Sequence, residues 1–354
     1  MSALLKLLAP GMLSSIQDKG RLGFGSFGVP RSGAIDPVSL RLGNALVGND
    51  PYEAAIEFRL MGPTITAKNG SIRVAIACHA EAELTAFQTD EKHLISPWQT
   101  VIINEGDVLK ILALQSGATG YLCVEGGLDI DPILGSCSTY ARAKMGSPLQ
   151  ANDELRVTQT AMPWQCERKL IEPLQNTGAP LHVILGPQDD YFSDEEINRF
   201  LKKGFKVSSD VDRMGIRLEG SKILALPEKG SDLISDGLVA GAIQVPGNGQ
   251  PIILSVDCQS VGGYPKIATV VSADLHIMGQ LSPGNEIQFE AVNLEQAQSL
   301  YSDRETEIQN SIATIQDYFG EGSINLEVLY NSNLVGGVVD ARNPSHFPGH
   351  VEDK

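Results

Sequence analysis

Cysteine is scarce in this chain. Five thiols (Cys78, Cys123, Cys137, Cys166, Cys258) are spread over 354 residues, an odd number with no CxxC pair. That argues against a disulfide framework and for reduced core thiols in a reducing compartment. Six histidines (His79, His93, His182, His276, His346, His350) form neither HxH nor HExxH, so no metal is expected. Pro344, Pro348 and Gly349 argue against a helix that would align His346 with His350. Basic charge is also short: 27 Lys and Arg against 43 Asp and Glu give a formal net charge of −16. Such a chain repels phosphate backbones and anionic lipid, which disfavours nucleic acid and membrane as partners. A small anion can still be held by local arginines. The apolar N-terminus, MSALLKLLAPGML, is interrupted by Lys6 and ended by Pro10. It is too short for a membrane span and lacks the order of a signal peptide. It reads as a first β-strand of a cytoplasmic protein.

What is present is strand signal and glycine. Segments 71–78, 98–104, 107–114, 119–127, 181–186, 251–257 and 285–292 are short, rich in β-branched residues and bounded by Gly, Pro, Asn or Asp. Helices are fewer. Residues 36–49 carry Asp36 as cap, Pro37 at the first helical position, Val38, Leu42, Ala45 and Leu46 on one face, and Gly48 as stop. Residues 193–204 open on Ser193 with acids in the first turn and end in lysines, and a third helix is expected over about 293–319. Many strands with few helices predict a mainly β fold with some helix, closed into barrels or sandwiches. The weakest segment, 160–180, divides the chain. The expected units are an N-terminal domain over 1–165, a second over 180–290, and an acidic helical extension and tail over 291–354, with ten acidic and three basic residues.

Two loop clusters carry the chemistry. The first, GRLGFGSFGVPRSGAIDP (20–37), contains Gly23-x-Gly25-x-x-Gly28. A dinucleotide loop needs a helix opening at the third glycine, whereas the expected helix starts near Asp36. In GIRLEGSK (215–222) the Ser221-Lys222 order reverses that of a phosphate-binding loop, so no ATP site is visible. What remains is a loop bearing Arg31, Ser32 and Asp36, where the plain alternative is that glycines make turns and Asp36 only caps. The second cluster runs from RMGIRLEG (213–220) through 235–284 and is dense in Gly, Pro and amides. Gln244, Gln250, Asp257 and Gln259 fall close together, PGNGQP reads as a hairpin turn, and SVGGYPK (260–266) lets a ligand approach the backbone at Gly262 and Gly263. Amides and backbone N–H groups suit a planar, amide-like substrate such as a lactam or urea. Each residue also has a plain structural reading: glutamines facing solvent, Tyr264 as a core aromatic, Arg213 and Arg217 as surface charges.

The stretches PGMLSSIQDKGRLGFGSFGVPRSGAIDPVSLRLGNALVGND, AAIEFRLMGPTI, RMGIRLEG and GAIQVPGNGQPIILSVDCQSVGGYPKIATVVSADL resemble the biotin-dependent carboxyltransferase / allophanate hydrolase subunit 2-like family. The resemblance covers about residues 4–290. It implies two cyclophilin-like β-barrel domains in tandem with the active site between them, and makes the Gly-rich loop a site-forming one. It implies one of three activities. The first is as a component of an ATP-dependent 5-oxoprolinase, joining subunits A and B to open the 5-oxoproline lactam to L-glutamate. The others are a biotin-dependent carboxyltransferase acting on urea or a related amide, and a regulatory partner of a protein like the B subunit. The chain carries no ATP-grasp region, and RAKMGSP (142–148) lacks the methionine that precedes a biotinyl-lysine. The first activity is therefore expected, with ATP used by a partner, no cofactor bound by this chain, and biotin possible only in the alternative. The roles expected under it are Asp36, Glu57 or Asp257 as general base, Gln244 at the amide, and Tyr264 or Lys266 polarising the carbonyl. Arg31, Ser32, Glu57, Arg213, Arg217, Gln250, Gln259, Gly262 and Gly263 are expected around the substrate.

Overall fold

Short β-branched runs stopped by Gly, Pro or Asn can only satisfy their backbone groups by pairing with one another. In the computed structural model, which describes residues 2–161, 166–174 and 180–319, they do so in three large sheets. A six-stranded sheet has the order 154–156, 4–9, 64–68, 108–111, 82–85, 92–95. A seven-stranded sheet runs 15–17, 55–59, 119–124, 72–77, 99–103, 167–170, 315–318. An eight-stranded sheet holds the later strands, with 181–185 pairing antiparallel to 266–270 and parallel to 289–291. The chain is thus mainly β, with four α-helices among the described residues. The first two sheets enclose one apolar core, built around Leu5, Leu7, Phe58, Ile65 and Ile72, and the third sheet encloses another around Val183, Phe200, Phe205 and Ile253.

Helix α1 (Pro37–Val47) starts where Asp36 accepts from the Val38 and Ser39 N–H groups at 3.0 Å each, and stops at Gly48 in the left-handed region (φ 77°). It lies flat on the seven-stranded sheet. A Cβ on Gly43 would stand 2.6 Å from Ala77 Cβ and 2.7 Å from Cys123 Sγ, so only glycine permits this approach. Helix α2 (Asp194–Lys202) is capped by Ser193, and α3 is the short Leu275–Gln280. Helix α4 (Leu294–Ala313) opens with a capping box between Asn293 and Gln296.

The expected strands form, at slightly shorter lengths, and PGNGQP joins the paired strands 242–244 and 252–254. Three elements differ. The stretch 285–292 splits into two short strands, 286–287 and 289–291, which pair with different neighbours. The helix expected to reach 319 ends at Ala313, and Ile315–Tyr318 turns into a strand. The segment 160–180 is not structureless: Glu167–Leu170 is a strand between 99–103 and 315–318. The extension therefore returns to the first half of the molecule. There Arg41 of α1 grips Glu305 of α4 through both Nη atoms (2.7 and 2.6 Å), and Ile308 joins the core beneath α1. The tail from 320, with His346 and His350, lies outside the described residues. Among the described residues no helix is long and apolar enough to cross a membrane.

Candidate functional site

Asp18 anchors the Gly-rich loop. Its buried carboxylate accepts from the N–H groups of Gly20 (2.8 Å) and Cys137 (2.7 Å) and from the hydroxyls of Ser136 (2.6 Å) and Ser138. The loop then folds on itself, with Arg21 N–H donating to the Arg31 carbonyl (2.6 Å) and Ala34 N–H to that of Asp18 (2.8 Å). Glycine is required at the crossing: a Cβ on Gly20 (φ 83°) would meet the Arg31 carbonyl oxygen at 2.6 Å. The three glycines of the GxGxxG spelling are different. A Cβ on Gly23, Gly25 or Gly28 would meet nothing within 4 Å, because they form an open excursion around the turn Gly25–Phe27. No α-helix opens there, only the 3-10 turn Gly25–Phe27, so they do not form the helix-start cradle that a pyrophosphate needs.

The end of the loop is fixed by a buried ionic group. Glu57, on strand 55–59, accepts from Ile35 N–H (3.0 Å), from the Tyr121 hydroxyl (2.7 Å) and from Arg213 Nη1. Arg213 comes from the other half of the molecule. It also grips both Asp257 oxygens (2.8 and 3.1 Å) and donates to the Gly33 carbonyl (2.7 Å). Burial opposes its charge, but Glu57 and Asp257 outweigh that and raise its pKa. Burial, then the neighbouring carboxylates of Glu57 and Asp36, push the Tyr121 hydroxyl well up, so it stays a protonated donor. Asp36 is equally committed: besides capping α1 it accepts from Ser39 Oγ (2.6 Å) and from Gln280 Nε2 (2.6 Å) of α3. Four side chains expected at the site, Glu57, Arg213, Asp257 and Asp36, thus serve to hold the loop between the two halves.

A cleft of about 520 Å³ lies beside this group, lined by both halves. One wall is the loop, with Lys19 and Arg31 exposed at its mouth and Ser32 beneath them; the other is Ala240, Ser255 and Val256. Ser32 N–H donates to the Val256 carbonyl (2.9 Å) and stitches the walls together. The hydroxyls of Ser32 and Ser255 are both buried and have no hydrogen-bond partner among the described residues. A buried hydroxyl without a partner costs about 1–3 kcal/mol, and two in one cleft leave donors and acceptors for a ligand. Ile35, Leu275 and Met278 supply an apolar floor. The site offers cations at the entrance, hydroxyls inside and apolar contact below, which suits a small, polar, anionic molecule.

The remaining expected residues lie elsewhere. Gln244 is buried on its strand and donates to the Tyr264 carbonyl (3.3 Å), and a Cβ on Gly262 would press on its Nε2 at 2.9 Å. Lys266 binds Asp236 and the Gly237 carbonyl, which holds the two-stranded ribbon 236–237/261–262 against the sheet. The Lys266 bond draws the Asp236 carboxyl down to about 2. Tyr264 is exposed, and a Cβ on Gly263 would lie 3.2 Å from the Leu233 carbonyl oxygen. Gln250 clamps Gly220 through both ends of its amide (3.0 and 3.2 Å). Arg217 and Gln259 are exposed, the former 3.9 Å from Asp210, and neither lines the cleft. All five thiols have pKa values raised, by burial first, so none is a ready thiolate. Sequence reasoning passed over Lys19, Tyr121 and Ser255. Tyr121 carried a signal, since a lone hydroxyl in an apolar strand needs a partner.

The chain is 32% identical over 309 residues to the C subunit of 5-oxoprolinase from Escherichia coli, covering 85% of this chain and 96% of that one. It is 36% identical to the corresponding C subunit of Haemophilus influenzae, covering 81% and 91%. Urea amidolyase of Saccharomyces cerevisiae is 32% identical, but the chain spans only 18% of its length. Among solved structures, urea carboxylase of Kluyveromyces lactis superimposes with a TM-score of 0.77 at 28% identity, covering 91% of this chain and 30% of that one. Residues 27–291 match the family described as carboxyltransferase domain, subdomain A and B, and the chain belongs to that family.

Proposed function

We propose that this chain is the C subunit of an ATP-dependent 5-oxoprolinase, working in the cytoplasm with subunits A and B to open the 5-oxoproline lactam to L-glutamate. The observation that carries the reading is similarity: 32% and 36% identity to two C subunits, running through 96% and 91% of their length. The cleft supports it. 5-Oxoproline is a small planar lactam with one carboxylate, and Lys19 and Arg31 at the mouth would take that carboxylate. Ser32 and Ser255 would hydrogen-bond the ring amide. In this reading the two halves are tandem cyclophilin-like barrels, divided within 160–180, with the substrate between them.

Ring opening adds water across the amide C–N bond and needs the carbonyl activated first. The carboxylates nearest the cleft are saturated. Asp257 is held by Arg213, Asp36 by its helix and Gln280, and Asp18 by four donors. They fix charge and geometry and do not act as free bases. This chain therefore binds and orients the lactam and binds no cofactor itself, while a partner subunit spends ATP on the carbonyl. Gln244, Tyr264 and Lys266 lie outside the cleft, where Lys266 holds the ribbon 236–237/261–262 in place.

The likeness to urea carboxylase favours a second reading, carboxyl transfer to urea or a related amide. The same hydroxyls suit a ureido ring, so carboxybiotin delivered by another protein would supply the carboxyl group there. The test is glutamate release from 5-oxoproline and ATP by this chain with subunits A and B, omitting each in turn. Release only when this chain is present supports the lactam reading. Carboxylation of urea without glutamate release moves the assignment to the second. Affinity for the B subunit with neither reaction leaves a regulator.

A further inference from the structure

A second cleft, of about 410 Å³, lies on the far side of the α1 N-terminus and is completed by α4. Helix α4 begins beyond the residues that match the family, so this compartment depends on the extension. Two arginines line it, Arg41 and Arg304, in a chain whose overall charge is strongly negative. Three of their four terminal nitrogens are engaged: Arg41 holds Glu305 through both Nη atoms, and Arg304 Nη1 meets Glu307 at 2.8 Å. Their Nε–H groups are not. Both are buried, and neither has an acceptor among the described residues. A desolvated guanidinium N–H without an acceptor is costly to keep, and two of them line one hollow.

The other walls fit the same ligand. His276, almost fully buried, lines the cleft; burial pushes its pKa down, and its ring bonds to the Ala273 backbone, so it adds no charge and serves as a wall. Tyr52 and Tyr301 are half-open aromatic walls that would cover an organic body attached to the anion. Glu305 is the one carboxylate in the lining, and Arg41 neutralises it. Glu307 offsets Arg304 in the same way, so what the lining offers an anion is unpaired N–H donors and not excess charge.

We propose that the cleft between α1 and α4 is a binding site for a small oxyanion, a carboxylate or phosphate group, received by the free Nε–H groups of Arg41 and Arg304 with His276 beside them. It shares Pro37 and Tyr52 with the main cleft but takes the anion on different donors, and it does not depend on the lactam reading.

The test is calorimetric titration of the full chain with sodium phosphate and, separately, sodium acetate, at constant ionic strength. At least one anion should bind saturably, and the one that does sets the class. Arg304→Gln, which leaves the Arg41–Glu305 pair intact, should weaken binding about tenfold or more. Arg31→Gln, in the main cleft, should leave it unchanged. Absence of saturable binding by either anion overturns the proposal. So does equal affinity in Arg304→Gln, or loss in Arg31→Gln alone, which would put the anion in the main cleft. Should Arg304→Gln fail to fold, the wild-type His276 ring resonances decide. They must shift on saturation with the bound anion, and unmoved resonances overturn the site.

Discussion

Arg213 has its guanidinium between Glu57 and Asp257, with the Gly33 carbonyl as a further acceptor. A point charge cannot serve three such partners, and a methyl serves none. Arg213→Ala should therefore destabilise by about 3–5 kcal/mol, the range for leaving buried charge uncompensated, and Arg213→Lys by less; chemical denaturation measures both. Ser32 and Ser255 present the opposite case. Their hydroxyls contribute no bond among the described residues, so Ser255→Ala should leave the unfolding midpoint level or raised. It should still cut turnover of the reconstituted complex about tenfold, the worth of one hydrogen bond to substrate. A stability loss matching the activity loss would remove Ser255 from the site. At this scale the sequence was partly legible. Arg31 and Ser32 stood out because loop residues next to glycine have few packing duties. Arg213 and Glu57 also stood out, but their engagement with each other was not legible, since the two come from different halves of the chain.

Among the elements, α1 was the easiest to read. Asp36, Pro37 and Gly48 mark its ends in the sequence, and the structure adds the reason for Gly43, the contact with Ala77 and Cys123. Gly43→Ala gains helix propensity but meets those atoms at 2.6 and 2.7 Å. The overpacking cost of about 1–3 kcal/mol should win over the gain of about 1 kcal/mol, and thermal unfolding of the variant checks the sign. Short strands were legible in type but not in partnership. Glu167–Leu170 was hidden in a stretch of mixed polarity because an edge-proximal strand need not alternate. Ile315–Tyr318 was hidden because it continues, without a breaker, the polar pattern of the helix before it.

For the whole molecule, α4 and its strand bind the end of the described chain to its beginning. Arg41 lowers the Glu305 carboxyl from an ordinary 4.5 to about 2. A depressed acid stabilises fully above its unfolded pKa and loses that contribution as pH falls through the folded one. The difference in melting temperature between the native chain and Glu305→Gln should hence be constant from neutral pH to about 5, and should shrink toward about pH 2. A difference that persists unchanged at that acid end would show that the pair is not its source. The closing strand also has a consequence for how the protein is made. Leu170 pairs with Ile315, so during translation the edge of the seven-stranded sheet stays bare while the whole second half is synthesised. At about 5–20 residues per second that is a wait on the order of ten seconds. For that interval the nascent chain presents an unpaired strand to its neighbours on the polysome, and it is covered only when the strand after α4 emerges.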